Sequence, residues 1–130
     1  YYGTPKQAVK DQLAEGKDVL LEIEMQGGML VKKQFPDAML VFVTPPSAEI
    51  LKDRLTGRGT ESAEEIERRL HRASEEADFM KQYDYILVND SLEAAVEDLH
   101  HLIQSGHHKT AYCAELIKSM TQQLNTLVGK

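Results

Sequence analysis

The stretch Leu21-Glu22-Ile23-Glu24-Met25-Gln26-Gly27 sets two carboxylates at the end of an apolar run that begins at Val19. Side chains alternate across an extended chain, so Leu20, Glu22 and Glu24 share one face. Val19, Leu21, Ile23 and Met25 share the other. A strand covered on both faces reads almost continuously apolar, as the first half of this run does. Ligands of open α/β sheets bind outside the carboxyl ends of the strands. Acids placed there hold a metal, a ribose or a base. The same pattern also suits an edge strand with a solvated face.

A second group of residues with chemical potential lies further along. All five arginines, Arg54, Arg58, Arg68, Arg69 and Arg72, fall within residues 54–72, whereas the ten lysines are spread over the chain. Arginine's planar fork binds phosphate oxygens in pairs and never loses its charge. Arg54 and Arg58 flank Gly57 beside a Gly-Arg-Gly loop, and Arg68, Arg69 and Arg72 belong to the helix that follows. Such a cluster around a glycine-hinged loop suits a mobile lid that clamps phosphate. Glu61, Glu64, Glu65 and Glu67 in the same segment also permit a solvated, salt-bridged helix, and Arg68 and Arg72 read as its surface residues.

Alternating elements must position these groups. Thr4, Pro5 and Gln7 form a helix start, with the helix ending near Gly16. A strand is expected at 18–24 and a short helix from Gly27 to Phe35. Met39–Val43 reads as a second buried strand. Pro45-Pro46 breaks the chain, and Ser47 caps a helix to Gly57. Ser62 and Glu65 open a long helix with Ile66, Leu70, Ala73 and Ala77 on one face. Tyr85–Val88 is a third strand, and Ser91 caps a helix to about Gln104. A last helix carries Leu116, Met120, Leu124 and Leu127 on one stripe, which would pack on its own domain, the preferred reading, or on a second subunit. The fold class is therefore α/β, a mainly parallel sheet flanked by helices.

The bulk properties narrow the function classes. A chain of 130 residues suffices for one domain with a core, and 42% hydrophobic with 28% charged residues is ordinary for a soluble globular protein. A net charge of −6 argues against nucleic acid as the main partner. No apolar stretch approaches the ~20 residues of a membrane span, and no signal-peptide pattern is present. The single cysteine, Cys113, excludes an internal disulfide and fits a reducing, cytoplasmic setting. His100-His101 and His107-His108 lack the spacing that puts metal ligands on one face. Cys113 reads as packing for the last helix, and Met25, Met29, Met39, Met80 and Met120 as core filler. The oligomeric state is not encoded legibly.

Five motifs then occur together: Y-Y-G-T-P at 1–5, L-E-I-E-M-Q-G at 21–27, P-P-S at 45–47, R-L-T-G-R-G-T-E at 54–61 and V-N-D at 88–90. In this order and spacing the chain resembles guanylate kinase, which moves the γ-phosphoryl of ATP onto GMP. The resemblance covers residue 1 to about residue 104, and its specificity lies in the set of motifs rather than in any one. It implies a P-loop nucleoside monophosphate kinase-like fold. Residues 1–106 would be core and lid, with the lid at about 54–72, and 107–130 a C-terminal helix. It implies GMP binding by Tyr2, Gly3, Thr4 and Glu24, with Glu24 on the guanine edge. It gives Arg54, Arg58 and Arg69 the catalytic grip on the ATP phosphates, with Arg54, Arg58 and Asn89 at the ATP. Glu22 matches an acid near the Mg2+ that accompanies ATP. Many relatives carry aspartate where this chain has Glu24, one methylene shorter.

One family element is missing from these residues. No G-x-x-x-x-G-K-[ST] stretch, whose amides cradle the nucleotide phosphates, occurs anywhere in the chain, and Gly27-Gly28 lacks the lysine and serine that would follow. The chain begins at Tyr1 directly with motif residues. The expectation is the C-terminal portion of a guanylate kinase, with a fold incomplete at its N-terminus, an exposed sheet edge and no activity by itself. The alternative is a non-catalytic guanylate-kinase-like module that binds proteins. Such modules tend to lose the lid arginines and magnesium acids, all of which are present here. Adenylate or thymidylate kinase is a further option, against which Y-Y-G-T-P and Glu24 favour guanine.

Overall fold

The computed structural model describes residues 6–130. Six helices and two strands follow in chain order: α1 Lys6–Ala14, α2 Met25–Gln34, β1 Val41–Thr44, α3 Ala48–Gly57, α4 Ala63–Ala77, β2 Tyr85–Val88, α5 Leu92–Gly106 and α6 Ala114–Leu127. Single 3-10 turns at Met80–Gln82 and Thr110–Tyr112 lead into β2 and α6. Serines start three of the helices as expected. Ser47, Ser62 and Ser91 each accept the backbone N–H three residues on, from Ile50, Glu65 and Ala94. Gly16 closes the end of α1 at φ 82°, a backbone region that costs glycine little.

β1 and β2 pair in parallel, from Val41 opposite Tyr85 to Thr44 opposite Val88. The pairing is extended at both ends. Asp84 and Tyr85 donate their amides to the Leu40 carbonyl at 2.9 and 3.1 Å, and Asn89 donates to the Thr44 carbonyl at 2.8 Å. The chain thus has α/β character, helix-rich, with a small parallel sheet.

The expected strand at 18–24 is a correction. Residues 17–24 belong to neither helix nor strand and form no ladder with any described residue, although Glu24 itself is extended at φ −71° and ψ 169°. Alternation in a sequence encodes an extended chain with two different faces, whereas a strand also needs a partner. The two faces differ only in part: Val19, Leu21 and Met25 are half-buried, but Ile23 on the same face is exposed, as are Leu20, Glu22 and Glu24 on the other.

The core is small. Among the described residues, Leu40, Leu55, Leu87 and Ala95 are the buried apolar side chains, from β1's entry, α3, β2 and α5, and Gly28 of α2 is buried as well. Phe42 meets Tyr83 edge-on, with ring centres 5.1 Å apart. Val43, Ile86 and Val88 remain about half exposed, so the described helices leave part of the apolar sheet uncovered. The last helix is a second correction. Its stripe has the expected helical spacing, but Leu116, Met120, Leu124 and Leu127 all face outward, Leu127 at 81% exposure. Periodicity shows that a face is apolar and is silent about what covers it. Met120 is therefore not core filler, while Met25, Met29, Met39 and Met80 are half-buried. Cys113, half-buried, stands at the start of α6 with its Sγ 3.9 Å from the His107 carbonyl. No described helix is long and apolar enough to cross a membrane.

A polar clamp fixes the entry to the sheet. The Asp84 carboxylate accepts the Leu40 amide at 2.8 Å and Lys32 Nζ at 2.9 Å, and Lys32 also donates to the Ala38 carbonyl at 2.6 Å. Burial alone would raise the Asp84 pKa, but the Leu40 amide and the Lys32 ammonium outweigh it and hold it below the usual carboxylate value. A depressed folded pKa contributes stability above the unfolded value of ~3.9, lost as pH falls through the folded value. Asp84→Ala should therefore destabilise the fold by about 1–2 kcal/mol at neutral pH, the partial exposure of the ion pair limiting the effect. Urea titrations should show the wild-type advantage over Asp84→Ala shrinking from about pH 5 to about pH 2.

Candidate functional site

The carboxyl ends of β1 and β2 lead into the segments 45–47 and 89–91, each ending in a helix-capping serine. Arg54 of α3 reaches across to the second segment. Its Nη1 donates to the Asn89 carbonyl at 2.8 Å and its Nη2 to the Asp90 carbonyl at 3.0 Å. The planar fork is well matched to two adjacent carbonyls. Two residues expected at one ligand are thus in direct contact, at the end of the sheet where ligands of α/β folds bind. The Asn89 backbone is held twice, by Arg54 and by its own amide on Thr44.

The other expected groups are distributed around α4. Arg69 Nη2 lies 2.7 Å from Glu61 Oε1. Glu61 is mostly buried, and its second carboxylate oxygen has no hydrogen-bond partner among the described residues. Arg58 ends α3 exposed, with no ion pair among the described residues. Gly59, next to it, adopts φ 66°, the left-handed conformation that turns the chain between α3 and α4. No hydrogen bond or ion pair joins Arg54, Arg58 and Arg69 to one another or to Glu24 among the described residues.

Glu24 occupies the N-terminus of α2, where its carbonyl accepts the Gly28 amide at 2.9 Å. Its side chain makes no capping bond. Instead Glu24 Oε2 accepts Arg72 Nη2 at 3.2 Å, and Arg72 Nε donates to Glu76 Oε1 at 3.0 Å. Glu24, Met25, Gln26, Arg68, Arg72, Glu75 and Glu76 line a cleft of about 330 Å³ between the start of α2 and one face of α4. That volume is at the lower end of small-molecule sites. Burial and the Glu76 carboxylate push the Tyr83 hydroxyl above its ordinary pKa, so it stays neutral beneath Gly28.

Arg68 and Arg72 are exposed, as their sequence positions suggested, yet they also line this cleft. The missed signal was the pairing of Arg72 with Glu76 at i, i+4, which presents a fixed guanidinium to the acid at the start of α2. Glu22 is exposed, with no hydrogen-bond partner among the described residues, and the described residues contain no cluster of three metal-ligating side chains. Tyr2, Gly3 and Thr4 lie outside the described residues. His107, considered above for metal, has its Nε2 2.7 Å from Asp18 Oδ1 and ties the extended segment to the end of α5.

The Arg54 bridge can be tested on the chain as a folding unit. Arg54→Ala should lower stability by about 1 kcal/mol, because the bonds are strong in type but exposed. Arg54→Lys should recover less than half of that, since an ammonium cannot serve two carbonyls with one plane. Thermal or urea unfolding of the two variants measures this.

The guanylate kinase family model matches residues 1–106. The match spans most of the 130 residues and includes every motif named above. The chain belongs to the guanylate kinase family.

Proposed function

We propose that the protein carrying this chain is an ATP:GMP phosphotransferase, with the sheet and α4 forming parts of its nucleotide sites. The observation that carries the reading is the family match over residues 1–106. It is supported by Glu24 in the cleft and by the Arg54–Asn89 contact at the sheet end. In this reading residues 54–72 are the lid, and 107–130 form an appended helical segment.

Glu24 accepts the N1–H and 2-amino donors of guanine through its carboxylate, an acceptor-only group when ionised. Adenine offers an acceptor at N1 and is disfavoured. Tyr2, Gly3 and Thr4 hold the GMP phosphate. Arg54, Arg58 and Arg69 bind the ATP phosphates, and Asn89 borders the ATP nucleoside. Of these three, Arg58 alone has no protein partner among the described residues, so it is the one most ready to meet a phosphoryl group. Arg69 uses one nitrogen on Glu61 and retains two others for phosphate.

Little covalent chemistry falls to the protein in such a transfer. Its work is to align donor and acceptor and to stabilise charge on the moving group. Mg2+ would neutralise phosphate charge when bound. A hard carboxylate such as Glu22, exposed and free of hydrogen-bond partners among the described residues, suits an ion held mostly by phosphates.

A coupled assay of ADP formation with GMP and ATP tests the reading in the complete protein. Turnover with GMP well above that with AMP is the expected result. Absence of turnover with intact GMP binding would favour the non-catalytic module. Arg58→Ala should lower kcat by ~10³ or more while GMP affinity changes by less than ~3-fold. The 130-residue chain assayed by itself should show no transfer, because it contains no glycine-rich phosphate loop.

A further inference from the structure

Glutamate at the position of Glu24 raises a physical difficulty. Its side chain has three rotatable bonds and is 55% exposed, so nothing intrinsic to the residue fixes the carboxylate plane. The helix start does not fix it either, because the side chain makes no capping bond. Arg72 does. Its Nε is anchored on Glu76 Oε1 at 3.0 Å, one turn along α4, and its Nη2 reaches Glu24 Oε2 at 3.2 Å. Both contacts use one rigid guanidinium plane. Glu24 Oε1 has no hydrogen-bond partner among the described residues, and Glu24 lines the cleft.

We infer that Arg72 is a positioning residue for base selection: it occupies one lone pair of Glu24 Oε2 and leaves Oε1 and the second Oε2 lone pair to accept the two donors of the base. The inference rests on the proposed role of Glu24 in guanine binding. A purine with N1–H and a 2-amino group presents two parallel donors, and both bonds form only if the acceptor carboxylate is held in their plane. Inosine keeps N1–H and lacks the 2-amino group. Loss of the fixed plane should therefore harm guanine more than hypoxanthine. Arg72 touches neither the phosphates nor ATP in this scheme, so its effect should be confined to the acceptor base. Glu76 contributes by holding Arg72.

Steady-state kinetics of the complete protein with GMP, IMP and ATP varied in turn test this. Arg72→Ala should raise the GMP KM by roughly 5- to 20-fold and reduce the GMP-over-IMP preference in kcat/KM by a comparable factor. The ATP KM should move by less than about 2-fold. Arg72→Lys should restore only part of the preference, because an ammonium cannot bridge both glutamates in one plane. Glu76→Gln should act in the same direction as Arg72→Ala and more weakly. Glu24→Gln combined with Arg72→Ala should be no worse than Glu24→Gln alone.

An unchanged GMP KM and GMP-over-IMP ratio in Arg72→Ala, with Glu24→Gln still impaired, would overturn the role of Arg72 and leave the kinase reading intact. A parallel loss for GMP, IMP and ATP with a lowered unfolding midpoint would reduce Arg72 to a structural residue and overturn the inference as well. If Glu24→Gln itself left GMP kinetics unchanged, the guanine-binding reading would fail and the inference with it.

Discussion

Everything described depends on the parallel pairing of β1 with β2, and that pairing is held at its two ends. Four ladder positions are few for a sheet, and a two-stranded sheet is marginal in isolation. At the entry, the Asp84 carboxylate takes the Leu40 amide and recruits Lys32 from α2. At the exit, Arg54 of α3 gathers the carbonyls of Asn89 and Asp90. Each clamp ties a helix to the strands as well as strand to strand. The entry clamp therefore also positions α2, whose first residue follows Glu24. The exit clamp positions the turn at Asn89. Site geometry and sheet stability rest on the same polar contacts.

Much of this was legible in the sequence. Ser47, Ser62 and Ser91 announced three helices because a hydroxyl at a helix start meets a local demand for an acceptor. β2 was legible as Tyr85–Val88 because a short β-rich run lies between turn residues. The run at 18–24 was read correctly for the partly covered Val19 and Leu21, but not for exposed Ile23, and wrongly in its pairing. Side-chain alternation is local, whereas a ladder partner is a property of the rest of the fold. The outward stripe of α6 has the same cause. The Asp84–Lys32 clamp links positions 52 residues apart and has no local signature at all.

The candidate site divides in the same way. The types and spacing of Glu22, Glu24 and the five arginines were visible, and so was the glycine-flanked loop around Arg58. Their partners were not. Helical spacing placed Arg72 and Glu76 on one face, but only the fold shows that this face meets the start of α2. Asn89, which the resemblance places at the ATP, follows β2 with its backbone held at both its amide and its carbonyl, and its side chain makes no hydrogen bond among the described residues.

The arginines of α3 and α4 combine attachment with exposure. Arg69 is 52% exposed while paired to Glu61, and Arg72 is 63% exposed while paired to two glutamates. Ion pairs this exposed are worth a fraction of a kcal/mol to about 1 kcal/mol each. They suffice to orient a side chain and are too weak to immobilise it. A phosphate group offers Arg69 a bidentate partner of higher charge, so exchange of Glu61 for a phosphate on Arg69 would be favourable in the proposed closed site. Glu61 would then carry a mostly buried carboxylate without its cation, a cost that favours return of the pair once the phosphate leaves. In the proposed lid, the Arg69–Glu61 pair would thus favour reopening once the phosphate leaves.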